Sequence, residues 1–421
     1  MYKRFSIVAL LSGCMLFIPV PAISTETSVA PLANFVAQVI DNHPRIRSMD
    51  AALKASSARY QAADQALYNP ELEFDTERTD INTTSLGISQ TIDWSDKRGA
   101  RAKTAQQTYN ANAADANSLR QQLARNLLNA LSEYNTADTL NRLGQQSLQL
   151  MQQFVDIAEQ RLQAGDLNQV ELDLAKLAAL EADLESSELA ARLSDAEQAL
   201  FSLLGDRPAP RVWPGLPQTL PVIQSDRLDI EDLIKTHPVF QAKQAQINAA
   251  RALVSLRQRE AKPDPTIGIR AGREDNNTLT GLTLSLPLFV RNTYQAEVTE
   301  AHAQLTQTEF DARSTWLDLK NRILTARQRY ILTRNTWTNW QQRGTSSIKR
   351  RIDLLKQLWQ VGELSSTDYL IQLKQTLDTQ SAGIELRGRL WHNWSNWLMA
   401  SASIFQWLEI DERTSSTDIQ H

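Results

Sequence analysis

Two carboxylates occupy matching places in the two halves of the chain, and their spacing is the first hint of chemistry. Glu171 lies six residues after Gly165, and Asp368 lies six residues after Gly362. Carboxylates brought close together repel each other and attract cations. A single charge on a long helix usually only faces solvent. What these two residues can do therefore depends on the elements that position them.

The other residues that could bind a metal or act as nucleophiles are few and scattered. The five histidines are at positions 43, 237, 302, 392 and 421. The sequence contains no nucleophile motif, no phosphate-binding loop and no set of His and Cys residues at metal-binding spacing. His43 and His237 each precede a proline at equivalent turns, so we expect them to be structural. The sequence thus predicts no enzyme and no resident metal or other cofactor.

The N-terminus indicates export. Lys3 and Arg4 precede a 16-residue apolar run, Phe5 to Val20, and a polar stretch follows Ser24. This pattern predicts a secretory signal peptide over residues 1–24, because the run is short for a transmembrane helix. Cys14, the only cysteine, ends a Leu-Ser-Gly-Cys sequence similar to a bacterial lipobox, so its lipidation is an alternative. Both readings place the mature chain outside the cytoplasm.

The charge of the chain excludes one class of partner. The formal net charge is −4, and it becomes −6 if Lys3 and Arg4 are removed (−4 − 2). A nucleic-acid-binding protein needs a basic patch or stripe, which this balance does not provide. We therefore expect no nucleic-acid partner.

The distribution of proline predicts very long helices. Residues 71–207 and 288–421 contain no proline at all. An internal proline costs a helix about 3 kcal/mol, so two such stretches leave long helices uninterrupted. The segment from Asp96 to Gln163 contains only two glycines and predicts one continuous helix of ~100 Å.

The chain is a tandem duplication. His43-Pro44 recurs as His237-Pro238 at an offset of 194, and the step at Gly165 recurs at Gly362 at an offset of 197. Each half reads as helix, β-hairpin, very long helix, glycine break and second long helix. The predicted organisation is a first repeat at 25–207, a Pro-rich linker at 208–229, a second repeat at 230–402 and a tail at 403–421.

Heptad spacing predicts how the paired helices pack. Apolar residues recur at alternating spacings of three and four in the second long helix of each half, as coiled coils require. In the first half the positions are Val170, Leu174, Leu177, Glu181 and Leu184; in the second they are Leu370, Leu373, Leu377, Gln380 and Ile384. We expect these stripes to pack against neighbouring helices.

Four segments alternate with period two and predict strands. In the first half, residues 71–77 and 85–94 flank a polar turn at 80–83; in the second, residues 266–271 and 282–288 flank a turn at 274–277. Leu72, Phe74 and Ile88 would lie on one face, and Glu71 and Glu73 on the other. Apolar-out, polar-in alternation over about ten residues is typical of an outer-membrane barrel, although a half-buried soluble sheet alternates too.

Four strands are too few to close a barrel. An open sheet edge in lipid would leave backbone groups unsatisfied, so closure requires strands from several chains. Two chains would supply eight strands, and side chains fill the interior of an eight-stranded barrel. Three chains would supply twelve and leave a bore, so a symmetric trimer is the smallest conducting solution. The alternative is a periplasmic coiled-coil scaffold without a pore.

The duplicated plan of strand hairpin and long α-hairpin resembles the TolC-type outer-membrane efflux proteins, over about residues 33–402. Residues 89–101, around Ile92-Asp93-Trp94, are similar to CzcC-like members that serve heavy-metal efflux. The resemblance implies a homotrimer in outer-membrane lipid, forming a 12-stranded β-barrel and a periplasmic α-barrel. It also implies a periplasmic adaptor protein and an inner-membrane RND-type pump as partners. Heavy-metal cations are the expected cargo; multidrug efflux and type I protein secretion remain alternatives.

The resemblance also assigns roles to the glycine steps and the carboxylates after them. The steps would be the tips that dock the adaptor, through Ala164, Gly165, Leu167, Val361, Gly362, Leu364 and Ser365. Glu171 and Asp368 would belong to the periplasmic gate. The family's second acidic position is occupied here by Ile371, so closure would rest on fewer charges or on an apolar ring.

Overall fold

The computed structural model describes residues 29–223 and 229–410 of the 421-residue chain. These residues are mainly helical, with one four-stranded antiparallel sheet, and this confirms the predicted class of a mainly α fold with a small β part. The predicted signal peptide, Cys14 and residues 411–421 lie outside the described residues.

The first half contains four helices and two strands. In chain order they are α1 (Ala30–Asn42), α2 (Pro44–Ala63), β1 (Glu71–Arg78), β2 (Asn82–Thr91), α3 (Lys97–Ala164) and α4 (Gln169–Leu203). The predicted first helix, about 43–67, is thus shorter and is preceded by α1. The 68-residue α3 confirms the continuous helix expected from the lack of proline.

The second half repeats this order with two differences: its long helix is divided into two, and a short helix follows at the end. Its elements are α5 (Ile230–Thr236), α6 (Pro238–Glu260), β3 (Thr266–Glu274), β4 (Asn277–Ser285), α7 (Gln295–Arg343), α8 (Thr345–Gln360), α9 (Ser366–Ala400) and α10 (Ile404–Leu408). The single very long helix expected here is wrong, because the chain breaks into α7 and α8 at Gly344. A Cβ on Gly344 would lie 2.9 Å from the carbonyl oxygen of Trp340, a closeness that only glycine permits.

Two hydrophobic clusters hold the helices together. The middle cluster joins α1, α3, α7 and α9 around Leu127, Leu131 and Tyr330, and Phe405 of α10 packs into it. Residues 404–408, placed by the sequence in the tail, are therefore a packed helix. The tip cluster joins α3, α4, α8 and α9, and its fully buried members include Phe154, Trp359 and Leu373.

The heptad stripes of α9 and α4 differ in burial. Leu370, Leu373 and Leu377 of α9 are buried in the tip cluster, as expected. On α4, however, the exposed fractions of Leu177 and Leu184 are 64% and 69%. These two side chains lie largely open in the single chain, so the expected packing of this part of the stripe stays a prediction. The residues of α4 that are buried instead lie on another face: Leu172, Ala175, Ala182, Ala196 and Leu200.

His43 and His237 begin equivalent helices. The Nδ1 atom of His237 accepts the backbone N–H of Val239 at 3.2 Å, and that of His43 accepts the N–H of Arg45 at 3.2 Å. Each ring caps a helix whose first residue is proline, which has no N–H to satisfy. The structural role expected from the sequence is confirmed for both.

We expect His237 to make the fold acid-sensitive. Burial lowers the pKa of His237 below its ordinary value, because the charged ring is poorly solvated there. The unfolded chain therefore binds a proton near pH 6.5 that the folded chain does not. This contribution to stability is complete above that pH and is lost as the pH falls below it. Thermal melts between about pH 8 and about pH 5 should show a steeper acid loss for the wild type than for His237→Asn. Asn keeps a capping oxygen, so equal slopes would contradict this account.

Candidate functional site: an exposed apolar sheet and two joined helix tips

The sheet has the order β1-β2-β3-β4, and each strand is antiparallel to its neighbour. Leu72 faces Ile88, and Ile88 faces Ile269, so apolar side chains form rows across the strands. The apolar face carries Leu72, Phe74, Leu86, Ile88, Ile267, Ile269, Leu282 and Leu284. The division of the first hairpin into an apolar and a polar face is confirmed, but β2 begins at Asn82, inside the predicted turn, and ends at Thr91.

This apolar face is open to its surroundings. The exposed fractions of Leu72, Leu282 and Leu284 are 74%, 76% and 71%. Each of these side chains would gain roughly 1.5–3 kcal/mol by leaving water. A contiguous apolar surface of this kind marks contact with a membrane or a protein.

The opposite face is polar and acidic. Glu71, Glu73, Asp75 and Glu77 of β1 lie on it, opposite Ser89, Gly87, Ser85 and Thr83 of β2. The hydroxyl of Ser89 donates to Oε1 of Glu73 at 2.9 Å. In the described residues, β1 and β4 each have a partner on one side only, so both outer edges carry unpaired backbone groups.

A buried ion pair connects the sheet to the helices. Nζ of Lys97, at the start of α3, lies 2.9 Å from Oδ2 of Asp264, which precedes β3. The same carboxylate oxygen accepts the hydroxyl of Tyr68 at 2.7 Å. Burial and this hydrogen bond raise the pKa of Tyr68 to about 12, so the phenol stays a donor. These contacts join residues from both halves where the strands enter the helices.

The far ends of the helices form two glycine turns. Gly165 has φ = 84° and Gly362 has φ = 80°, in the left-handed region that favours glycine. The N–H of Asp166 donates to the carbonyl of Arg161, and the N–H of Glu363 donates to that of Leu358, both at 2.9 Å. These bonds end α3 and α8 in the same way. No atom outside the turn lies within 4 Å of a Cβ built on Gly165, so backbone conformation alone requires the glycine.

The predicted docking residues divide by exposure. Ala164, Gly165, Val361, Gly362 and Ser365 are exposed, while Leu167 and Leu364 pack partly against the tip cluster. Docking of an adaptor at these residues stays a prediction.

The two turns are joined to each other, which the sequence did not indicate. Nη1 of Arg161 donates to the carbonyl oxygen of Trp359 at 3.3 Å, and its guanidinium lies 5.8 Å from the centre of the Trp359 ring. That ring stacks on Tyr369 at 5.0 Å and packs against Phe154 at 4.5 Å. Arg161 and Trp359 are 198 residues apart, and only the duplicated Gln-x-x-Gln-x-Gly pattern could have suggested that they meet.

Glu171 and Asp368 both cap helices. The backbone N–H of Glu171 donates to Asn168, and the carboxylate of Glu171 accepts the N–H of Asn168, forming a capping box at the start of α4. At the start of α9, the N–H of Asp368 donates to the hydroxyl of Ser365, which donates to Oδ2 of Asp368 at 2.7 Å. The pattern Asn or Ser, two residues, then Glu or Asp was visible in the sequence and signals this role. A gate role for these residues stays a prediction.

Ile371, the third predicted gate residue, is 60% exposed one turn into α9. It lines a cavity of about 250 Å³ between α3, α4 and α9, with Leu177, Glu181 and Lys374. Lys374 and Glu181 form an ion pair across that cavity. An exposed isoleucine beside an open apolar groove is available for contact with another chain.

No group of three or more metal-ligating side chains occurs within residues 29–223 and 229–410. Of the remaining histidines, His302 is on α7 and His392 on α9, while His421 lies outside the described residues.

None of the helices in the described part of the chain is both long enough and apolar enough to cross a membrane.

The sequence is similar to that of known outer-membrane efflux proteins. Residues 35–206 match the outer membrane efflux protein family. The chain is 24% identical over 273 residues to the cobalt-zinc-cadmium resistance protein CzcC of Cupriavidus metallidurans, covering 63% of this chain and 65% of CzcC. It is 25% identical over 278 residues to the nickel-cobalt-cadmium resistance protein NccC of Alcaligenes xylosoxydans xylosoxydans, covering 62% of each. The match therefore spans just under two thirds of these relatives.

A solved structure extends the likeness in fold to the second half. The open state of the MtrE outer membrane channel of Neisseria gonorrhoeae superposes with a TM-score of 0.73 at 13% identity, covering 88% of this chain and 89% of MtrE. The sequence match, the duplicated helices and the four-stranded sheet agree with one another. Over residues 35–206 the chain is similar to the outer membrane efflux protein family.

Proposed function

We propose that the protein is the outer-membrane channel of a tripartite efflux system, a passive conduit and not an enzyme. The observation that carries this proposal is the sheet, with one apolar face exposed, one acidic face and two unpaired edges. A bilayer covers the apolar face, and pairing with further strands satisfies the edges. A scaffold without a pore would leave this surface in water.

Three copies are the proposed assembly. Twelve strands enclose a bore, whereas eight would be filled by side chains. The exposed stripe of Leu177, Leu180 and Leu184 on α4 supports contact between copies, because nothing within the described chain covers it. The 68 residues of α3 extend such a ring by ~100 Å, as a tunnel into the periplasm.

The proposed cargo is heavy-metal cations, on the strength of the names of CzcC and NccC. A conduit need not bind what it passes, so a metal site is not required of the chain itself. Multidrug efflux and type I protein secretion remain the alternatives for cargo. Growth of a deletion strain on Co²⁺, Zn²⁺, Cd²⁺, detergents and dyes separates them, since only the true cargo becomes more toxic.

The proposed partners are a periplasmic adaptor at the two glycine turns and an inner-membrane pump of the RND type behind it. Gly165→Val and Gly362→Val should strain turns that need positive φ by about 1–3 kcal/mol each. We expect trimers that assemble but no longer crosslink to the adaptor. Gly215→Val is the matched control, since Gly215 has no neighbour within 4 Å of a built Cβ and no positive φ. Normal crosslinking in both tip variants would remove the tips from the docking surface.

The channel itself is tested by mass and conductance. Protein extracted from outer membranes should need detergent, have the mass of three chains and form ion-conducting pores in planar bilayers. A detergent-independent or monomeric protein without conductance would refute the channel and favour the scaffold.

We expect Asp368→Asn to reduce the cation selectivity of the pore and its block by multivalent cations. Asparagine retains an oxygen that can accept the Ser365 hydroxyl, so the helix cap is kept while the charge is lost. Ile371→Ala should raise resting conductance if the isoleucines form an apolar ring. Asp173→Asn, an exposed carboxylate on α4, is the control. Equal selectivity in Asp368→Asn and Asp173→Asn would leave Asp368 a helix cap only.

A further inference from the structure

One row of the sheet combines two glycines, an arginine and a carboxylate. On the polar face, Glu73 pairs with Gly87, Gly87 with Arg270 and Arg270 with Gly281. Directly opposed residues point to the same face, so Arg270 shares this face with the acidic ladder of Glu71, Glu73, Asp75 and Glu77. Within β1–β4, all of which the structure describes, Arg270 is the only basic residue on that face.

The side chain of Arg270 lies across Gly281, away from its own acidic ladder. A Cβ on Gly281 would be 2.8 Å from Nε of Arg270 and 3.1 Å from its Cγ. The absence of a side chain on Gly281 thus leaves the space in which the arginine lies. The guanidinium is carried towards the open edge of β4, and Arg270 has no ion pair with any described residue of its own chain.

The opposite edge of the same sheet carries the complementary charge. β1 has four carboxylates at alternate positions and is exposed along its whole length. In a four-stranded antiparallel sheet β1 and β4 run in opposite directions, so β4 of one copy can pair antiparallel with β1 of another. Neighbouring strands lie about 4.8 Å apart, so the next copy's β1 is about 10 Å from β3. An extended arginine and a facing glutamate together span that distance.

We propose that Arg270 reaches across Gly281 to bind a carboxylate on β1 of the adjacent copy. An ion pair would then close each seam of the barrel, the seam being the junction where β4 of one copy pairs with β1 of the next. This inference rests on the proposed assembly of three copies. The ion pair of Arg270 would determine that β4 pairs with the β1 edge of the next copy. The carboxylates lie on every second residue of β1, so one of them is within reach over several registers. The seam therefore joins the basic edge of the second repeat to the acidic edge of the first, a head-to-tail contact that closes into a ring.

Charge reversal tests the pair. Arg270→Glu should raise the rate at which detergent-solubilised trimers dissociate, by about tenfold, because like charges then meet at each seam. The effect should be larger at low salt, since the pair faces water. Combining Arg270→Glu in turn with Glu71→Arg, Glu73→Arg, Asp75→Arg and Glu77→Arg should restore the wild-type rate in one combination. Glu274→Gln, on the same face, is the control and should leave the rate unchanged.

Gly281→Val distinguishes an effect on the ion pair between copies from an effect on the stability of strand β4 itself. Valine favours strands, so a local effect would leave the trimer as stable or more stable. If Arg270 must lie over Gly281, the variant should instead dissociate faster, and Arg270→Ala should do the same. An unchanged dissociation rate in Arg270→Glu, or no rescue by any of the four partners, would overturn the inference while the wild-type trimer and its conductance stand. A monomeric wild type would instead refute the proposed assembly itself.

Discussion

Replacing Trp359 with alanine should destabilise the tip cluster by about 3–5 kcal/mol, as for other buried tryptophans. Trp359 is 1% exposed, and its ring contacts Phe154 and Tyr369. Its Nε1–H donates to Oγ of Ser366 at 3.3 Å, at the start of α9. Alanine would leave a cavity between α3, α8 and α9 and remove the surface on which Arg161 lies. The two glycine turns should then separate more readily.

Thermal unfolding and limited proteolysis near residues 161–168 and 359–366 measure this effect. Trp94→Ala is the matched control, because the Trp94 ring is 62% exposed and makes little contact that alanine would remove. Cleavage at both turns should rise in Trp359→Ala and stay at the wild-type level in Trp94→Ala. An unchanged melting curve would show that the tip cluster does not depend on Trp359.

Lys97→Met should cost about 3–5 kcal/mol, because it leaves the carboxylate of Asp264 buried without a cation. The exposed fractions of the two side chains are 10% and 4%, so water cannot replace the lost partner. Nζ of Lys97 also donates to the carbonyl of Lys262 at 2.7 Å. The variant therefore loosens the junction of α3 with the segment that leads into β3.

A double variant tests the cause. Lys97→Met with Asp264→Leu should recover much of the lost stability, since replacing both members of a buried pair with apolar groups is often neutral. Arg251→Met breaks an exposed pair with Glu309, whose side chains are 56% and 46% exposed, and should cost less than about 1 kcal/mol. A double variant as unstable as Lys97→Met would show that packing of the lysine stem, and not the charge of Asp264, governs this junction.

Local rules account for the elements that the sequence predicted well. The helix over 97–164 follows from the lack of proline and the near lack of glycine, since each residue adds its own hydrogen bond to the helix. The turns at Gly165 and Gly362 follow from the need for positive φ at a helix end. The faces of the first hairpin follow from period two, because neighbouring side chains of a strand point in opposite directions. These features depend on contacts close in sequence.

The errors and omissions concern contacts between distant residues. Heptad spacing identified a stripe on each of α4 and α9 but could not say what covers it: Leu177 and Leu184 of α4 are exposed, while Leu373 and Leu377 of α9 are buried. The break between α7 and α8 at Gly344 is a separate case, because Gly99 and Gly144 lie within α3 without interrupting it, so the presence of a glycine alone did not predict a break.

The class of fold, the duplication, the long helices, the glycine turns and the two faces of the first hairpin could all be predicted from the order of the residues. The contact of Arg161 with Trp359, the ion pair of Lys97 with Asp264 and the position of Arg270 over Gly281 depend on how the folded chain packs. Periodicity gives each element a face, but the partner of that face is set by packing across the whole chain. Arg161 and Trp359, 198 positions apart, and Lys97 and Asp264, 167 apart, come together because the two repeats lie side by side. No pattern local to one segment indicates which side chains of the two repeats are in contact.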